Sequence, residues 1–147
     1  MMSKAGDSKR SGPPRFEMTR GVEFNETDMA GLVHFANFFR YMEVAEHEFL
    51  RSIGHVIHGG PEGRENGWPR VNANCDYRKP ARFGDEILVR VYVEEVRTRS
   101  VRYGFDFLIG EELIATGSVT TAHVEMGEEG IRAVPIPEGL REVLVGG

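Results

Sequence analysis

Between Val22 and Glu46 the chain reads VEFNETDMAGLVHFANFFRYMEVAE, and most of the side chains able to do chemistry lie there. Glu26, Asp28, Glu43 and Glu46 supply carboxylates, His34 an imidazole, and Gly31 falls inside an acidic turn. An aspartate of ordinary pKa, about 3.9, is ionised at pH 7 and available as nucleophile or general base. Such a carboxylate needs a stabiliser of negative charge opposite it. A helix start supplies one, because its first N–H groups lack intrahelical partners and carry partial positive charge. Asp28, on the turn before a predicted helix, is placed to face the same spot. Its other reading is a turn or N-cap residue, since Asp favours both places. Gly31 reads as a turn residue with positive φ.

The flanking elements follow from periodicity. Phe16, Met18, Val22 and Phe24 share one parity, broken by Arg20, which predicts a first β-strand with one buried face. Phe35, Phe38, Phe39, Met42, Ala45, Phe49, Leu50 and Ile53 recur at three- and four-residue steps, predicting a helix from about Phe35 to Ile53 with Gly54 as its stop. His55 to Gly67 is Gly-rich and polar and reads as a long loop. From Trp68 the pattern is β: Val71, Ala73, Cys75 and Tyr77 alternate, then Ile87 to Val93, Val101 to Ile109 and Leu113 to Met126. Pro137 opens a short final helix holding Leu140, Val143 and Leu144. One long helix with an antiparallel sheet is an α+β domain. The helix covers one face of that sheet, so its other face and its edges predict self-association.

The chain has 147 residues and 16.5 kDa, the size of one domain. Met1 to Arg15, rich in Ser, Gly, Pro and basic residues, reads as a disordered leader, leaving 16–147 as the folded unit. Eighteen Lys and Arg against 23 Asp and Glu give a net charge of −5, which argues against a general nucleic-acid binder. The single cysteine, Cys75, excludes an internal disulfide and a multi-thiolate zinc site, and its place on the apolar parity predicts a small core residue. His55 and His58 lie in the Gly-rich loop without a matched third ligand, so they read as exposed loop histidines and no metal site is expected. No apolar run approaches the about 20 residues of a membrane span, and the N-terminus has no apolar signal core, so the expected location is the cytoplasm.

The motif Glu26-Thr27-Asp28-Met29-Ala30-Gly31-Leu32-Val33, followed by His34-Phe35-Ala36-Asn37-Phe38 and Glu43, resembles the hotdog-fold acyl-CoA thioesterases of the 4-hydroxybenzoyl-CoA thioesterase-like family. The turn Lys79-Pro80-Ala81-Arg82-Phe83-Gly84-Asp85 and the long strands after it resemble that family too. The resemblance implies a sheet wrapped around one central helix, acyl-CoA as substrate with no separate cofactor, and assembly as a dimer or a dimer of dimers (a homotetramer). It also implies that Asp28 is the catalytic carboxylate and that the Phe35 backbone N–H polarises the thioester carbonyl. Gly31, Val33 and Phe38 would border the substrate. Many members carry Tyr-His where this chain has His34-Phe35, so the histidine is displaced by one position. His34 is a candidate to compensate, and Glu43 a reserve carboxylate on the helix.

A thioester asks little more of its enzyme, because a thiolate leaves readily without a strong general acid. The phosphates of coenzyme A suit Arg and Lys. Two basic clusters are available: Arg78, Lys79 and Arg82 at one turn, and Arg97, Arg99 and Arg102 at another, the second being the favoured candidate. Two other functions compete. A hotdog dehydratase or hydratase would pair a His with an acid, and the matching helix histidine is lacking. A non-catalytic acyl-CoA-binding module would tolerate loss of Asp28.

Overall fold

The protein is described by a computed structural model that covers Arg10 and residues 12–55 and 65–146. The expected leader's residues 1–9 and 11, and most of the expected loop including His58, lie outside the described residues. Eight strands and two helices follow in chain order. They are β1 (Phe16–Gly21), α1 (Asn37–Ser52), β2 (Glu65–Gly67), β3 (Arg70–Tyr77), β4 (Glu86–Val96), β5 (Ser100–Ile109), β6 (Glu112–Ala122), β7 (Val124–Gly127), β8 (Gly130–Ala133) and α2 (Glu138–Gly146). A short 3₁₀ turn, Phe24–Glu26, takes the end of the stretch predicted as the first strand.

Five strands form one antiparallel sheet in the order β1-β4-β5-β6-β3. Helix α1 lies against one face. Its core positions, Phe38, Tyr41, Met42, Ala45, Phe49 and Leu50, keep the 3.6-residue period and are buried. They meet the inward parity of the strands: Val89 and Val91 of β4, Tyr103, Phe105 and Phe107 of β5, and Ala115 and Val119 of β6. The approach is closest where Met42 crosses Gly117, since a Cβ at that glycine would stand 2.3 Å from Met42 Cε. The helix start differs from the prediction. Phe35 and Ala36 form a turn, α1 begins at Asn37, and the Phe35 ring is 63% exposed.

The chain before β1 also engages the sheet. Arg10 bonds Asp106 (2.6 Å), Glu94 (3.1 Å) and the Gly117 carbonyl (2.6 Å), and Arg15 donates to the carbonyls of Val143 and Leu144 in α2. Strand β3, one of the sheet's two edge strands, departs from the expected alternation: its side chains are mostly exposed, Val71 by 62%. Cys75 is accordingly only half-buried. His55 is not a bare loop residue either, for its Nε2 accepts the Trp68 Nε1–H (3.1 Å).

Candidate active site

Asp28 builds the turn on which it stands. Its N–H donates to the Leu32 carbonyl (2.7 Å), and its carbonyl accepts from the Gly31 N–H (3.0 Å). Its Oδ1 accepts from the N–H groups of Ala30 (2.9 Å) and Leu32 (3.1 Å). Gly31 takes φ 81°, a left-handed conformation that a side chain would strain. Beyond the turn, the Val33 N–H donates to the Ala81 carbonyl (2.8 Å), tying the loop to the segment after β3. One carboxylate oxygen thus organises the loop. The other, Oδ2, accepts from no described group, and the side chain is exposed.

The turn before α1 is held from beneath by Glu26. This glutamate is buried and accepts from Arg20 of β1 (2.6 Å), Tyr41 of α1 (3.0 Å) and the Glu23 N–H (2.9 Å). Burial alone would push its carboxyl up. The donors from the Glu23 backbone, Arg20 and Tyr41 outweigh that and hold it below the usual range. Its carbonyl then accepts from the His34 N–H (2.9 Å) and the Asn37 side-chain amide (2.8 Å). The first acid of the motif is therefore a structural clamp.

Within that turn the amides are used unequally. His34 N–H is taken by Glu26, Ala36 N–H by His34 Nδ1 (3.2 Å), and Asn37 N–H by the His34 carbonyl (2.9 Å). The Phe35 N–H donates to no described group. Helix α1 has Ala36, which makes no side-chain cap bond, at its N-cap, and its first amides, those of Asn37, Phe38 and Phe39, donate to the carbonyls of His34, Phe35 and Ala36. Asp28 and Phe35 border one cavity of about 330 Å³, walled by Val33, Phe38, Ala81 and the segment Tyr77 to Pro80. Gly31 and His34 do not line it. Gly31 serves the turn, and His34 stacks on the Phe35 ring (centroids 4.6 Å apart) while its Nδ1 caps Ala36.

Glu43 and the favoured basic cluster do not join this cavity. Glu43 projects from α1 toward Arg70 (3.5 Å) and borders a separate cavity of about 280 Å³ with Phe39 and Ala73. Glu46, one turn on, is 1% exposed and paired with Arg70; burial pushes its carboxyl up to about 7, Glu43 adding to the rise and Arg70 opposing it. Strand β4 starts beside the motif, where Val22 N–H meets the Asp85 carbonyl, and runs 11 residues away from it, roughly 35 Å. Arg97, Arg99 and Arg102 lie at that far end, with Arg97 and Arg102 paired to Glu95. A strand's length separates them from Asp28 in the same chain, a distance invisible to residue type alone. The other cluster is adjacent: Arg78 and Lys79 line the Asp28 cavity. Tyr77 lines it too, and its ring parity gave no hint of a polar role.

A family model of the thioesterase-like superfamily matches residues 22–144. The chain belongs to the thioesterase-like superfamily. Among relatives, a protein of Aquifex aeolicus (strain VF5) that carries an esterase name is 37% identical over 131 residues, spanning 88% of this chain and 97% of that one. A 1,4-dihydroxy-2-naphthoyl-CoA hydrolase of Synechococcus sp. (strain CC9605) is 30% identical over 132 residues, spanning 86% and 87%. The solved 1,4-dihydroxy-2-naphthoyl-CoA thioesterase of Synechocystis shares the fold, with a TM-score of 0.77 at 21% identity over 88% of this chain and 94% of that one. As a thioesterase-superfamily member this chain carries the hotdog arrangement, a sheet curled around α1, and is an enzyme of thioester hydrolysis.

Proposed function

We propose that the protein hydrolyses acyl-CoA thioesters to a free carboxylic acid and coenzyme A at the Asp28 cavity. The observation that carries this is that Asp28, whose Oδ2 accepts from no described group, and Phe35, whose N–H donates to none, line one cavity beside the start of α1. The thioester carbonyl oxygen accepts from the Phe35 N–H, which stabilises the negative charge that develops there. The Asp28 carboxylate attacks the carbonyl carbon, or takes a proton from a water that does. The carbon–sulfur bond then breaks and the thiolate leaves; where Asp28 has attacked, water hydrolyses the resulting mixed anhydride, which frees the acid and restores the carboxylate. The aromatic wall of Phe35, Phe38 and Tyr77, together with the naphthoyl-CoA that the Synechococcus relative is named for, makes an aryl-CoA the first thioester to assay.

Coenzyme A phosphates would meet Arg78 and Lys79 at the cavity rim. The assembly is a homo-oligomer built on β3, whose eight residues expose an unpaired edge. Two copies pairing antiparallel along β3 would set the Tyr77 end of one against the Arg70 end of the other. The Arg97 to Arg102 hairpin lies at that second end, since Val101 pairs Thr121 and Thr121 pairs Arg70. Arg97, Arg99 and Arg102 would then serve a neighbour's site. No described helix is long and apolar enough to cross a membrane, and a cytoplasmic location is part of the same proposal.

The test is release of free thiol from a panel of aryl, short and long acyl-CoA thioesters. Asp28→Asn keeps an oxygen for the Ala30 and Leu32 amides and removes the charge. We expect kcat to fall at least about 10²-fold with KM little changed. An Asn variant as fast as the parent would refute the assignment.

A further inference from the structure

We infer that Tyr77 is a positioning residue for the oxyanion site: its hydroxyl, donating to the Phe35 carbonyl, fixes the turn that aims the Phe35 N–H. This rests on the reading of Asp28 and Phe35 given above. The bond is 2.9 Å long and spans 42 residues of sequence, joining the end of β3 to the turn before α1. The Tyr77 ring stands edge-on to Phe38 (centroids 5.3 Å apart), so the hydroxyl is directed by the same packing that walls the cavity.

The turn needs such a tether. The N-cap residue, Ala36, has no side chain to cap α1, and among the described groups the Phe35 carbonyl otherwise receives only a long bond from the Phe38 N–H (3.3 Å). His34 and Asn37 are anchored from one side, by the Glu26 carbonyl. Tyr77 anchors the stretch between them from the end of β3. The other bonds on the two peptide units flanking Phe35, Asn37 N–H to the His34 carbonyl and Ala36 N–H to His34 Nδ1, stay within the turn, so Tyr77 is what ties that stretch to the sheet and limits its rocking. An oxyanion donor works only when its direction is set before charge develops. The hydroxyl is a donor across the useful pH range, because burial, with Cys75 beside it, pushes it up to about 12.

A merely structural tyrosine predicts something else. Tyr77 is 46% exposed on an edge strand, so its hydroxyl contributes little to global stability. The test is Tyr77→Phe, which keeps the ring against Phe38, measured beside Asp28→Asn on the full chain with the best thioester of the panel. We expect kcat to fall about tenfold, KM to stay within twofold, and the melting temperature to stay within about 2 °C. An unchanged kcat, or a loss of kcat that tracks a lowered melting temperature, overturns the inference. If Asp28→Asn is inactive and Tyr77→Phe is not slowed, only the role of Tyr77 fails. If Asp28→Asn retains full rate, the site itself is wrong.

Discussion

Asp28, on the turn before α1, and Glu46, past the middle of that helix, are two carboxylates that the chain treats in opposite ways. Asp28 is exposed and held by two backbone N–H groups, with one oxygen left over. Glu46 is enclosed between α1 and β3 and paired with Arg70, which also reaches Glu43 and the Trp68 carbonyl. A buried charge costs so much that it must be matched or neutralised, and Arg70 does the matching. What remains is a structural group. Availability therefore comes from backbone donors at a turn, which orient an acid without neutralising it. The sequence presents both as a Glu or Asp near a helix. Their surroundings decide which one can act.

The sharpest way to break this contrast is to remove each acid in turn. Glu46→Ala leaves the part-buried Arg70 with only the more exposed Glu43 carboxylate and the Trp68 carbonyl among the described groups, and should destabilise the fold by about 2–4 kcal/mol. Activity per folded molecule should persist. Asp28→Asn should do the reverse, with rate lost and stability kept. Urea unfolding alongside single-concentration assays separates the two. A Glu46→Ala protein that is stable but inactive would move the chemistry to the other side of the helix.

Next in size is the pH dependence, where two glutamates act with opposite signs. Glu46 has a folded-state carboxyl raised to about 7 from 4.5, so the folded state holds a proton that the unfolded state has lost between these values. Stability from this group is complete below about 4.5 and is lost as pH rises toward 7, by about 1–3 kcal/mol. Glu26 is shifted down, so its contribution is present above its unfolded value and is lost on acidification. Melting curves from about pH 2.5 to 8 should show both limbs. Glu46→Gln should flatten the upper limb and leave the acid limb standing.

How much of this was legible beforehand depends on the range of the signal. The helix, the strand order and the Asp28 turn rest on local periodicity and turn chemistry, and the folded chain keeps them. Phe35 was expected in the helix, yet the Glu26 carbonyl holds His34 and Asn37 and leaves Phe35 in a preceding turn. Residue type favours the Arg97, Arg99 and Arg102 cluster, yet only strand direction tells which end of the sheet each cluster occupies. Tyr77 was hidden for the same reason: its partner lies 42 residues away, and a ring on an apolar parity carries no mark of the bond its hydroxyl makes.

The smallest expected effect tests the far end of the sheet. Arg97 is exposed and pairs with Glu95 across two residues, an ion pair of the kind worth less than about 1 kcal/mol. Arg97→Ala should leave stability within about 0.5 kcal/mol. If neighbouring copies complete each other's sites, the same substitution should raise KM for the intact CoA thioester severalfold. It should do nothing to a truncated pantetheine thioester, which lacks the nucleotide phosphates. Equal KM values for parent and variant on both substrates would confine phosphate contact to Arg78 and Lys79 at the near end. The distance along β4 would then be the whole reason the hairpin arginines take no part.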